Sequence, residues 1–136
     1  MKSWGTLCFA AALVMSVASI PASAHHSFAA VYDASKPAKL KGAVTKVEWT
    51  NPHVFFYIDV KDEKTGVVTN WACEMNSPNS LMRLGWSHKS LQIADVVTVD
   101  GSLAKDGSKI VNARSVVLEK TGARLFAGSS DGTVGK

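Results

Sequence analysis

From Ala38 to Glu119 the chain is dominated by a two-residue alternation of apolar and polar side chains, and the phase of that alternation marks out the elements. The clearest run is His53 to Lys61: Val54, Phe56, Ile58 and Val60 fall on one face, and His53, Phe55, Tyr57 and Asp59 on the other. Period two is the signature of a strand with one buried face. The preceding run, Ala38 to Trp49, carries Leu40, Gly42 and Val44 in one phase and Val47 and Trp49 in the other. A slip of this kind near Thr45-Lys46 predicts a bulge or bend. Val67 to Met75 forms a third strand, with Val67, Trp71, Cys73 and Met75 on one side and Asn70, Ala72 and Glu74 on the other. Asp62-Glu63-Lys64-Thr65-Gly66 supplies the hairpin between the second and third strands.

The period then changes. Ser77 suits an N-cap, Pro78 the first helical position and Gly85 the residue beyond the end, while Leu81 and Leu84 share a face, so residues 78–84 are predicted to form a short helix. Two further strands, Asp95 to Ala104 and Ile110 to Glu119, flank the turn Lys105-Asp106-Gly107-Ser108. This order predicts a mainly β fold: a five-stranded OB-like barrel over residues 38–126, with one short helix between strands three and four. An open sandwich or a split barrel is the architectural alternative. Residues 25–37, ending in Lys36-Pro37, are expected to form an extended arm, and the Gly/Ser-rich residues 127–136 a disordered tail.

Ahead of the arm the pattern has no period. Lys2 precedes an uncharged run from Leu7 to Ile20, followed by Pro21 and Ala22-Ser23-Ala24. A basic start, an apolar stretch and a small-x-small site predict a signal peptide over residues 1–24, cleaved after Ala24. A spanning helix needs about 20 apolar residues; this run is diluted by Gly5, Thr6, Ser16 and Ser19 and ends at a proline. The expectation is a periplasmic or secreted protein with no membrane anchor after cleavage. Removing 24 of 136 residues leaves 112, the size of one domain. Lys2 leaves too, so the formal charge falls from +4 to +3, a mild surplus without a basic patch. Nucleic acid is therefore not an expected partner. Cys8 also leaves, and Cys73 alone cannot form an internal disulfide.

The candidate chemistry begins at the new terminus. A free α-amine titrates near 7.7–8.0 and imidazole near 6.5, so a metal ion displaces protons from both close to neutrality. The amine and side chain of His25 can chelate one ion, and a third nitrogen from His26 or His53 would complete a T-shaped site of the histidine-brace kind. Nitrogen-rich tetragonal sites favour Cu(II), making copper the expected cofactor if a metal binds. His53 follows the turn Asn51-Pro52 and is the more suggestive third ligand; His88 is a fourth candidate or a plain surface residue. The bland reading is that the terminal histidines form a solvated tail and that His53 serves its turn.

A second class of function, a non-metal ligand- or protein-binding scaffold, would use Phe55 and Tyr57 on the outward face of the second strand, with Glu74 as a hydrogen-bonding neighbour. Cys73 alternates with Trp71 and Met75 and is expected to be buried and inert. Asp59 and Asp95 have no evident partners, and no nucleophile–base–orienter set is visible, so the chain is expected not to be an enzyme. A copper oxidase or monooxygenase is a third reading, for which so small a module leaves little room.

The motifs His25-His26-Ser27-Phe28-Ala29-Ala30-x-Tyr32-Asp33, Lys36-Pro37 and Gly42-x-Val44-Thr45-x-Val47-Glu48-Trp49-x-Asn51-Pro52-His53 resemble those of an uncharacterised, domain-of-unknown-function family of short exported bacterial proteins. The similarity continues through Trp71, Glu74, Ser77-Pro78, Leu81, Gly85-Trp86 and Asp95 to Gly101. The resemblance implies export and lends no established activity.

Overall fold

Each predicted alternation becomes a strand, and the strand edges pair into a ring. The computed structural model describes residues 28–127, in the order α1 (Phe28–Val31), β1 (Tyr32–Glu48), β2 (Phe55–Lys61), β3 (Val68–Glu74), α2 (Pro78–Arg83), β4 (Val96–Ala104), β5 (Ile110–Leu118) and β6 (Arg124–Phe126). The expected signal peptide, its cleavage site, His25, His26 and residues 128–136 lie outside the described residues.

β1 pairs antiparallel with both β2 and β4, β2 with β3, and β4 with β5. A parallel pairing of β3 with β5 returns the sheet on itself. The expected slip in β1 is present, as a register shift between Val44 and Lys46 against β2. Two glycines let the ring close tightly. A Cβ on Gly42 would stand 2.3 Å from the Asp59 carbonyl oxygen, and one on Gly101, beside a register shift in β4, 2.1 Å from the Asn112 carbonyl oxygen. No side chain fits either gap.

The core follows the phase of the alternation. Val54, Phe56 and Ile58 of the second run are completely buried with Cys73, Met75, Val97, Val99, Val111 and Val116, and Leu81 of α2 and Trp86 close one end. Burying each such side chain contributes roughly 1.5–3 kcal/mol. α2 starts as expected, with the Ser77 hydroxyl accepting from the Ser80 backbone N–H and Pro78 in the first turn. Gly85 takes φ +92° just after it, where a side chain would be strained. In the β2–β3 hairpin the Asp62 carboxylate accepts from the backbone N–H of Lys64 and Thr65.

Three expectations are corrected. Of the arm expected over residues 25–37, the described part is one helical turn followed by strand, because Tyr32 already pairs with Ala104 and the Val31 carbonyl accepts from the Lys105 N–H. Pro37 does not end the arm but lies within β1 beside a register irregularity, where a missing N–H is tolerated. The described residues also hold six strands rather than five. β6 pairs with β5, and Ala127, expected in the tail, is buried with its N–H donated to the Arg114 carbonyl.

Candidate functional site

Register places one mostly polar row on the face of the ring opposite the core, with Asn112 and Ser102 in it buried. Paired residues of neighbouring strands point to the same face, and the pairings Glu48–Phe55, Phe55–Glu74, Glu74–Asn112 and Asn112–Ser102 link five strands. Glu74 alternates with the buried Cys73 and Met75, so its carboxylate must face outward.

Three chain segments meet on that carboxylate. His53 follows the cis Asn51–Pro52 bond and is fixed by its neighbour Val54, whose N–H donates to the Asn76 carbonyl at 3.1 Å and whose carbonyl accepts from the Met75 N–H at 2.8 Å. His53 Nδ1 is hydrogen-bonded to Glu74 Oε1, and the Tyr32 hydroxyl donates to Glu74 Oε2. The His53 and Glu74 side chains are 22% and 13% exposed, which makes this a half-sheltered contact rather than a screened surface pair. Tyr32 is buried, its ring 5.6 Å from that of Phe28. Burial first, then the hydrogen bond to Glu74 and the nearby Glu74 and Asp106 charges, pushes the Tyr32 phenol far above its ordinary pKa. Asn112, next to Glu74 in the row, is 2% exposed, and its side-chain oxygen has no hydrogen-bond partner among the described residues.

At the other flank of Phe55, Glu48 accepts from the Tyr57 hydroxyl at 2.8 Å and pairs with Lys46, whose ammonium also lies 5.3 Å from the Tyr57 ring centre. The hydrogen bond to Glu48 is the main cause raising the Tyr57 pKa, and the bond from Lys46 is the main cause lowering that of Glu48.

Of the residues singled out from the sequence, His53, Phe55, Tyr57 and Glu74 therefore share one outer face, and His53 and Glu74 touch. His25 and His26 precede the described residues. Among the described residues no three His, Cys, Asp or Glu side chains converge on one point. His88 stands apart, its ring tilted 43° against that of Trp49 with ring centres 4.8 Å apart. Cys73 is buried, and burial pushes its thiol pKa up. Asp59 and Asp95 do have partners: Asp59 accepts from the Asn70 amide at 2.7 Å, and Asp95 pairs with Lys120 at 2.7 Å. A shallow cleft of about 380 Å³ is lined by Leu40, Val60, Lys61, Asp62, Glu63, Thr69 and Trp71, and by none of the candidate site residues. Tyr32 and Asn112 are site residues that sequence reasoning missed: they lie 42 and 38 positions from Glu74, and no local pattern announces either neighbour.

A family model described as a family of unknown function (DUF6152) matches residues 12–112. The chain belongs to this family. The DUF6152 region takes in His25, His26, Tyr32, His53, Glu74 and Asn112, and ends before β6. No curated protein matches the chain.

Proposed function

We propose that the chain is an exported copper-binding module. In this reading residues 1–24 are a signal peptide, the strand ring is an OB-like barrel, and cleavage after Ala24 frees the amine of His25 to bind Cu(II) together with its own imidazole and that of His53, with His26 as the alternative third ligand. The protein works in the periplasm or outside the cell as a binding module rather than an enzyme.

One observation carries the reading: the segment just downstream of His25 docks on the residue that holds His53. Phe28 and Tyr32 lie against each other, and Tyr32 bonds to the same carboxylate as His53. His25 is three residue steps from Phe28, a span of at most roughly 10 Å. Covalent reach therefore allows the new terminus to approach this end of the row. The contact on His53 is also of the right type, since metal-ligating histidines commonly give their other ring nitrogen to a carboxylate. The scaffold alternative draws less support, because the Tyr57 hydroxyl is already engaged by Glu48.

The test is a Cu(II) titration of the processed chain recovered after export of the full precursor, its N-terminus read by mass spectrometry. One equivalent should bind tightly. An alanine inserted before His25 should abolish tight binding without unfolding the protein; unchanged affinity, or a processed chain starting elsewhere, overturns the reading.

A further inference from the structure

We infer that Glu74 is the positioning residue of this site: it fixes the ring and proton of His53 so that Nε2 is the nitrogen presented to a metal, and the Tyr32 hydroxyl holds Glu74 in turn. The inference rests on the copper reading and adds to it the device that orients His53.

A carboxylate has lone pairs and no proton to give. Both contacts on Glu74 must then be donated to it, by the Tyr32 hydroxyl at Oε2 and by the Nδ1–H of His53 at Oε1. A histidine whose Nδ1 carries the proton has its free lone pair on Nε2, at the opposite edge of the ring. The backbone that carries the ring is anchored next door, because Val54 is bonded in both directions to Met75 and Asn76. Glu74 itself has little freedom: its strand position pairs with Phe55 on one side and Asn112 on the other. The side chain thus joins the arm, the turn after β1 and the core of the sheet at one point.

Asn112 is the buried polar neighbour of Glu74 in the row. Its residue is more than nine-tenths buried, at 2% exposed, it pairs with Glu74, and its side-chain oxygen is an acceptor without a donor among the described residues. Buried acceptors are rarely left so.

Two measurements on the processed chain judge the inference. The first uses no metal: a long-range ¹H–¹⁵N correlation of the histidine rings at pH 8. His53 should show a protonated Nδ1 and a bare Nε2 in the wild type and in Glu74→Gln, whose amide oxygen can still accept, and mixed tautomers in Glu74→Ala. A wild-type ring protonated on Nε2 overturns the inference. The second is Cu(II) affinity. Glu74→Ala should weaken binding 10–100-fold, as loss of such an outer partner does elsewhere. Tyr32→Phe, which removes one of the two contacts on Glu74 and keeps the Glu74–His53 bond, should leave the His53 tautomer unchanged and weaken binding less than Glu74→Ala does. Wild-type affinity in Glu74→Ala overturns the role of Glu74 and leaves the copper reading standing. A wild type that binds no copper sinks the copper reading, while the metal-free tautomer still decides what Glu74 does to His53.

Discussion

Phe55 is flanked on one face by two glutamates, Glu48 from β1 and Glu74 from β3, and each accepts a hydrogen bond from a tyrosine while contacting a basic side chain. The chemistry of the two trios is nearly the same; their construction is not. Lys46, Glu48 and Tyr57 lie within 9 positions of Glu48, on two strands that already pair, and the Glu48 and Lys46 side chains are 37% and 60% exposed. Tyr32, His53 and Glu74 come from three segments, separated by 42 and 21 positions, and Tyr32 is buried. The first trio decorates a strand pair that would exist without it. The second ties the N-terminal end of β1 to the middle of the sheet. Composition alone does not distinguish an ornament from an organiser; sequence separation and burial do.

That contrast can be broken most directly by removing each carboxylate. Glu74→Ala strands the buried Tyr32 hydroxyl, an unmade buried hydrogen bond that costs roughly 1–3 kcal/mol. Glu48→Ala takes away exposed contacts and should change stability by less than about 0.5 kcal/mol. Urea denaturation of the two variants measures the difference, and equal losses would erase the distinction. The tyrosines sharpen it. Tyr32→Phe should cost about 1 kcal/mol, the net worth of a typical hydrogen bond, whereas Tyr57→Phe should stay within about 0.5 kcal/mol.

The smallest effect at neutral pH, and one visible only in alkali, follows from the phenols. Both pKa values are raised in the fold, Tyr32 chiefly by burial and Tyr57 chiefly by its hydrogen bond. A group whose folded pKa exceeds its unfolded value contributes stability that is fully present below the unfolded pKa, near 10, and is lost as pH climbs toward the folded one. Wild-type melting temperature should therefore fall above about pH 10, with a flatter decline in Tyr32→Phe and a nearly wild-type decline in Tyr57→Phe. Melting curves from pH 8 to 11 separate these outcomes; parallel declines in all three proteins would show that Tyr32 is not the group responsible.

Much of this frame is legible in the order of residues. A period of two turns Val54, Phe56 and Ile58 inward, and each is completely buried. The slip near Thr45-Lys46 and the Ser77-Pro78 start of α2 are equally plain, because bulges and caps are written in a few adjacent residues. Tyr32 and β6 are not. β1 runs through Pro37, which breaks the strand signal, and β6 is only Arg124–Phe126, too short for a period to show. His53 and Glu74 each stand out, but for separate hypotheses, since nothing in the residues around either one names the other.

Local order along the chain is enough to decide which side chains alternate, where turns and caps fall, and that His53 and Glu74 lie on outward faces, because those properties depend on neighbours a few bonds away. The meeting of Tyr32, His53 and Glu74 belongs to the folded ring alone. It needs β1 to run back to Tyr32 along β4 and the β3–β5 pairing to close the ring, and contacts across such separations exist only once the whole sheet has formed.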